Sequence, residues 1–310
     1  MKTFHDISSF RTNEKTFVTI GTFDGVHFGH QEIINKLVDD AKLAGKKSVL
    51  LTFFPHPRMV LQKGTTIALI NTIAERTALL EKTGLDYLII HPFSIAFSRL
   101  TALDFVRDLL VAQLNISKLI IGYDHHFGKN REGNIEQLRE YSHTYGFSVE
   151  EIPAQDIDDV SVSSTKIRRA LAAGNLKTAN RYLGSPFMLS GKVVNGKKLG
   201  GQIGFPTANI DILENYKLIP KTGVYVVQSK IHNKTIFGMM NIGNRPTVSG
   251  THQTIEVHFF DFNTNLYDTF LTIELLFFLR DEHKFDTVES LIVQLKKDEK
   301  IARDYLKKAQ

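Results

Sequence analysis

The sequence predicts an α/β unit built on a parallel sheet, followed by a small antiparallel β-barrel that ends in a C-terminal helix. Three observations carry this expectation. In the first half, short apolar runs alternate with stretches of helical spacing, the pattern of βαβ units whose sheet is buried on both faces. From Phe187 to Arg280 strand follows strand, separated by Gly, Asn and Asp turns. Beyond 286, Val288, Leu291, Ile292, Leu295 and Ile301 mark one amphipathic helix over 286–308.

Each element follows from its residues. Thr16-Phe17-Val18-Thr19-Ile20 is β-branched and closed by Gly21, which reads as a strand at 16–21. Further strands are expected at 47–53, 86–91, 117–122 and 147–152, with helices at 29–44, 71–83, 102–113 and 134–145 between them. Two more helices follow, at 163–173 and 175–183; Ser163, Ser164 and Thr165 are candidate N-caps for the first. Around Gly184-Ser185-Pro186 the texture changes, which divides the chain into units 1–183 and 184–310. Barrel strands are expected at 187–195, 223–231, 234–242, 253–261 and 270–280, with His232-Asn233-Lys234 as a tight hairpin.

Composition narrows the function. With 310 residues, 42% apolar and 23% charged, the chain is of the ordinary globular class and long enough for two cores. The net charge of +5 favours an anionic ligand, but the 38 Lys and Arg are scattered without a block or stripe, which argues against nucleic acid as a partner. Cysteine is absent, which excludes disulfides, thiolate metal sites and a cysteine nucleophile. The N-terminal residues lack the apolar core of a signal peptide and no run approaches a membrane span, so cytoplasmic residence without a membrane partner is expected. The oligomeric state is left open.

The most informative stretch is Gly21-Thr22-Phe23-Asp24-Gly25-Val26-His27-Phe28-Gly29-His30. It joins a strand to a helix through a glycine-rich turn, and a helix N-terminus so placed binds phosphate through its free N–H groups and dipole. Imidazoles beside it can donate hydrogen bonds to a phosphorus centre as charge builds there. Three further segments would share the carboxyl rim of the sheet, where open α/β sheets bind ligands: Thr52-Phe53-Phe54-Pro55-His56-Pro57, Gly122-Tyr123-Asp124-His125-His126-Phe127-Gly128, and Ser163-Ser164-Thr165-Lys166-Ile167-Arg168. Together they point to a nucleoside triphosphate. In the second half a glycine-dense flap, Gly191 to Gly204, is followed by Phe205-Pro206-Thr207-Ala208-Asn209, by Asn241 to Thr247, and by Glu256-Val257-His258.

These residues resemble the bacterial bifunctional FAD synthetase family, in which an FMN adenylyltransferase of Rossmann-like nucleotidyltransferase fold precedes a barrel-shaped riboflavin kinase. The resemblance covers about residues 15–300 and implies roles by position. Gly21, Phe23, Asp24, Gly25, His27 and His30 would hold the phosphates of ATP; Ser164, Thr165 and Arg168 would bind the triphosphate and pyrophosphate. Asp124 would contact flavin, with His125-His126 where Phe-Arg is more frequent. In the barrel, Gly200 and Gly204 would line ATP, Thr207 and Asn209 would hold Mg²⁺, and Glu256 would be the general base. Gly201 stands where the family often has arginine, and Lys197 or Lys198 could supply that charge.

The implied reactions suit these residues. A phosphate oxygen of FMN is already anionic, so its attack on the α-phosphorus of ATP needs alignment rather than a base. The 5′-hydroxyl of riboflavin must lose a proton as it attacks the γ-phosphorus, which calls for a carboxylate. The expected ligands are therefore riboflavin, FMN, FAD and ATP. The departures at 201 and 124–127 leave an alternative in which one module is active and the other is a flavin- or nucleotide-binding regulator.

Overall fold

The computed structural model describes residues 1–62, 67–123, 126–153, 156–157, 160–196, 199–247 and 250–309. It divides into two compact units, Met1–Ser164 and Thr165–Gln310.

The first unit holds β1 (Lys2–Phe4), β2 (Thr16–Ile20), α1 (Phe28–Leu43), β3 (Lys47–Phe53), α2 (Pro57–Leu61), α3 (Ile73–Glu81), β4 (Tyr87–His91), α4 (Ala102–Asp104), β5 (Ile116–Gly122), α5 (Ile135–Tyr145), β6 (Ser148–Ile152) and a short β7–β8 pair (Asp156–Ile157, Val160–Ser161). Strands β1 to β6 form one sheet in the order β1-β4-β3-β2-β5-β6, and every pair is parallel. The order reverses beside β2, and a crevice opens outside the carboxyl ends of strands at such a point.

Both faces of this sheet are buried, and period-two alternation assigns each residue its side. Val49, Leu51, Ile89, Leu119 and Ile121 pack with Phe105, Leu110 and Leu138. Leu50, Leu88, Ile90 and Ile120 pack on the other side with Ile34, Leu37 and Leu80. Each fully buried aliphatic side chain contributes about 1.5–3 kcal/mol. The helix expected at 102–113 continues beyond α4 as a π-helix over Phe105–Gln113, whose wider turn buries Phe105, Val106, Leu109 and Leu110 together. Strand β1, too short to show a period, adds an edge that the sequence pattern does not reveal.

The second unit starts with α6 (Ser164–Ala172, from Thr165 onward) and α7 (Leu176–Leu183) and continues with β9 (Phe187–Val194), α8 (Leu199–Gln202), β10 (Ala208–Asp211), β11 (Gly223–Ile231), β12 (Lys234–Thr247), β13 (Gly250–Phe259), β14 (Phe270–Arg280) and α9 (Val288–Ala309). Its six described strands close a barrel in the order β10-β13-β12-β11-β14-β9, with every neighbouring pair antiparallel. The expectation had five barrel strands. The sixth, β10, is four residues long and carries Asn209. Helix α9 seats Ala302 and Leu306 against Phe205, Val224, Val226, Met239 and Phe260.

Candidate active sites

In the first unit the turn between β2 and α1 is built by backbone that few residues tolerate. Gly25 has φ +90°, and Phe23 and Val26 also stand at positive φ. The Phe23 and Val26 side chains repay this by burial in the α1–α3 side of the core. A Cβ on Gly21 would sit 3.1 Å from the Phe23 ring. His27 caps α1: its Nδ1 accepts from the His30 N–H at 3.4 Å. That bond requires Nδ1 to be unprotonated, which puts the proton of a neutral His27 on Nε2. The His27 and His30 rings stack at 3.6 Å and 15°, and Phe23 meets His30 edge-on at 5.0 Å. Burial, then the charge of His27, then that of Arg76, holds the His30 pKa well below the ordinary imidazole value.

Asp24 points inward. Its carboxylate, 1% exposed, accepts from the Ile70 N–H at 3.0 and 3.2 Å and from the Asn71 N–H at 3.3 Å. Arg76 Nη2 lies 3.6 Å from Asp24 Oδ1. So the side chain expected to line phosphate instead organises the loop leading into α3, where Thr72 and Glu75 form a reciprocal cap. Ser164 is brought to the same turn: its hydroxyl donates to the Asp24 carbonyl at 2.9 Å. Thr165 is exposed and Arg168 half-buried on α6, in the second unit. Asp124, His125, Lys197 and Lys198 lie outside the described residues.

Sequence reasoning passed over Arg76 and, as an individual residue, Thr52. Arg76 is 2% exposed and donates to Thr52 Oγ1 at 3.4 Å, while that hydroxyl donates to the Thr22 carbonyl at 3.1 Å. In sequence Arg76 is one cation in an amphipathic helix, and nothing local marks it as buried.

In the second unit the site forms on the outer wall of the barrel. On β13, Ile255 and Val257 are buried while Glu256 between them is half-buried and faces the other way. Glu256 pairs in register with Asn209 of β10 and with Asn241 of β12. Thr207 Oγ1 donates to Glu256 Oε2 at 3.3 Å. The turn before it is fixed by the Pro206 carbonyl, 2.8 Å from His258 Nδ1, and by Phe205 packed edge-on against that ring at 5.2 Å. The flap comes close enough that side chains would not fit: a Cβ on Gly196 would lie 2.1 Å from Asn209 Nδ2, and one on Gly200 would lie 2.2 Å from the Phe205 carbonyl. Gly204, at φ +85°, turns the flap back toward Phe205. A cavity of about 410 Å³ opens beside Asn209 and Gly196, walled also by Asn195, Asp211, Glu214 and Lys217.

A hydroxyl, a carboxamide and a carboxylate gathered here make a hard oxygen donor set of the kind that suits a divalent cation carrying phosphate. The arrangement thus offers one carboxylate able to accept a proton beside ligands for a charged nucleotide.

Comparison with known proteins agrees with both halves. A family model described as FAD synthetase matches residues 9–166, and one described as riboflavin kinase matches residues 183–306. A bifunctional riboflavin kinase/FMN adenylyltransferase of Listeria monocytogenes is 37% identical, covering 99% of each chain. That of Escherichia coli strain K12 is 35% identical over 97% of this chain and 96% of its own. Among solved structures, one from Streptococcus pneumoniae titled as a macrolide-efflux protein superimposes with a TM-score of 0.89 at 32% identity, covering 97% of this chain and 98% of that one. Among the described residues no helix is long and apolar enough to cross a membrane. The chain belongs to the family of bifunctional riboflavin kinase/FMN adenylyltransferases.

Proposed function

We propose that this chain phosphorylates riboflavin to FMN and then adenylylates FMN to FAD, using one ATP for each transfer. The observation that carries the reading is the presence of two separate polar sites, one in each unit, each matching the chemistry of one step. We take the kinase module as residues 184–310 and the adenylyltransferase as 1–183; the start of the riboflavin kinase match at 183 supports this division, while the FAD synthetase match ends at 166 and the compact units divide after Ser164.

In the kinase half, Glu256 takes the proton of the riboflavin 5′-hydroxyl as that oxygen bonds to the γ-phosphorus; the bond to the β–γ bridging oxygen breaks and ADP leaves. Thr207 and Asn209 would hold a divalent cation, Mg²⁺ in this proposal, which would neutralise charge on the phosphates. The cavity beside Asn209 receives the nucleotide, and Gly200 and Gly204 let the flap backbone approach it.

In the adenylyltransferase half, an FMN phosphate oxygen bonds to the α-phosphorus and pyrophosphate departs. His27 Nε2–H and the α1 N-terminus donate to the phosphates there, and His30 and Ser164 complete the anion cradle of the first unit. Gly21, Phe23 and Gly25 shape the turn, Asp24 fixes it from beneath, and Asp124 contacts flavin. Cytoplasmic residence belongs to the same proposal, since ATP is the donor in both steps.

Incubating the protein with riboflavin, ATP and Mg²⁺ and separating the flavins tests it. FMN followed by FAD is expected. Accumulation of FMN alone would favour the one-module alternative, and unchanged riboflavin, with supplied FMN also left unconverted, would overturn the reading.

A further inference from the structure

A guanidinium at 2% exposure carries a large desolvation cost, so its neighbours report what it is for. Two of the groups that Arg76 meets are tied to the β2–α1 turn, each by a different route. Through Asp24, 3.6 Å away, it reaches the residue whose carbonyl receives the Ser164 hydroxyl. Through Thr52 Oγ1, at 3.4 Å, it reaches the Thr22 carbonyl. The fork therefore ties the end of β3 to the start of the phosphate turn, and the same charge acts on the His30 ring.

We infer that Arg76 is a positioning residue for adenylyl transfer, acting on the 21–30 turn through Asp24 and Thr52. This rests on the adenylyltransferase reading of the first unit. Two properties of the side chain are separable. Its Nη1 donates to Thr52 while its Nη2 sets charge 3.6 Å from Asp24, two positions that a single lysine ammonium cannot serve together. Its positive charge disfavours the imidazolium of His30, as does the neighbouring His27; Asp24 is the carboxylate facing Arg76 from the turn itself.

The test uses the full chain and three proteins: wild type, R76K and R76M. Conversion of supplied FMN to FAD and phosphorylation of riboflavin are measured on each, and the His30 imidazole is titrated by NMR. R76K is expected to lose tenfold or more in FAD formation, mainly in kcat, with the His30 titration little moved. R76M is expected to lose at least as much and to shift the His30 titration upward. Riboflavin phosphorylation should stay within about twofold in both, which also reports an intact second unit. FAD formation within twofold of wild type in R76K, or a His30 titration unmoved in a folded R76M, would overturn the inference. If R76M fails to fold, R76K alone decides on rate. A wild type that makes no FAD from FMN would instead overturn the underlying reading, while the wild-type and R76M titrations still test the coupling to His30.

Discussion

The His27 and His30 rings lie face to face, centroids 3.6 Å apart, with the Nδ1 of one capping the backbone N–H of the other. Two imidazoles held this way resist simultaneous protonation, and burial adds to that resistance at His30, whose pKa is held well below the ordinary value.

A pH dependence of stability follows. The unfolded chain takes up the His30 proton near the ordinary imidazole pKa of about 6.5, before the folded chain does. The stability contribution is therefore intact above that value and is lost as pH falls through it toward the lowered folded value. His91, also held down mainly by burial, acts in the same direction. The melting temperature of the first unit should fall between about pH 7.5 and about pH 5.5. H30Q should flatten that fall without abolishing it, because His91 remains. Calorimetry at the two pH values checks this; an equal slope in wild type and H30Q would contradict it.

The barrel site gives a prediction of separable function. E256Q keeps the size of the side chain and its contact with Thr207 but removes the base, so riboflavin phosphorylation should fall by about 10²–10⁴-fold. N209A should also abolish most phosphorylation, and H30A should spare it while suppressing FAD formation from supplied FMN. Flavin chromatography after separate riboflavin and FMN incubations reads all three. Loss of both activities in any single variant would argue against independent sites.

The flap glycines divide by what surrounds them. At Gly200 an added methyl would meet the Phe205 carbonyl at 2.2 Å, and backbone cannot yield cheaply, so G200A should distort the 205–209 segment and suppress the kinase. At Gly196 the obstacle is the tip of the Asn209 side chain, so G196A should fold normally yet displace the amide and weaken metal-nucleotide binding. At Gly201 a Cβ meets nothing within 4 Å. G201A should be neutral. G201R, which restores the charge often found there in the family, should lower the kinase KM for ATP by roughly tenfold, the value of a charge-assisted hydrogen bond of about 1.5 kcal/mol. Steady-state kinetics on the four variants distinguishes these outcomes.

How much of this was readable in advance depended on range. The parallel sheet and barrel were legible because burial on both faces, or on one, imposes local periods that survive in a single sequence. The phosphate turn and the Thr207–Asn209 segment were legible because glycines and polar residues interrupt those periods at strand ends. Strands β1 and β10 were not, since three or four residues carry no period. Asp24 lies inside the motif, and by position alone it points to a phosphate contact. Its true partners, Ile70, Asn71 and Arg76, are 46 to 52 positions away, and no local pattern joins them. The same range hides Arg76, whose partners Asp24 and Thr52 lie 52 and 24 positions away.

The docking of α9 onto the barrel offers a test of packing against charge. Asp298, fully buried, receives Arg280 Nε at 3.0 Å to both oxygens and Nη2 at 2.7 Å, with Gln294 Nε2 adding a bond at 2.7 Å. Around this pair α9 buries Ala302 and Leu306 against Phe205, the residue that leads into Thr207. R280M strands a carboxylate without its cation, which costs about 3–5 kcal/mol. In a unit of this size that corresponds to a drop of roughly 10 °C in melting temperature. R280M/D298L replaces the pair by apolar groups and should recover most of the loss, since a well-packed hydrophobic pair is often equal to a buried ion pair. Because Phe205 shares this core, the single variant should lose riboflavin phosphorylation on mild heating before FAD formation from FMN declines. Calorimetry with activity remaining after heat steps measures both. A single variant that melts with wild type, or a double variant no better than the single, would show that Asp298 is not held by Arg280 in the way its three contacts indicate.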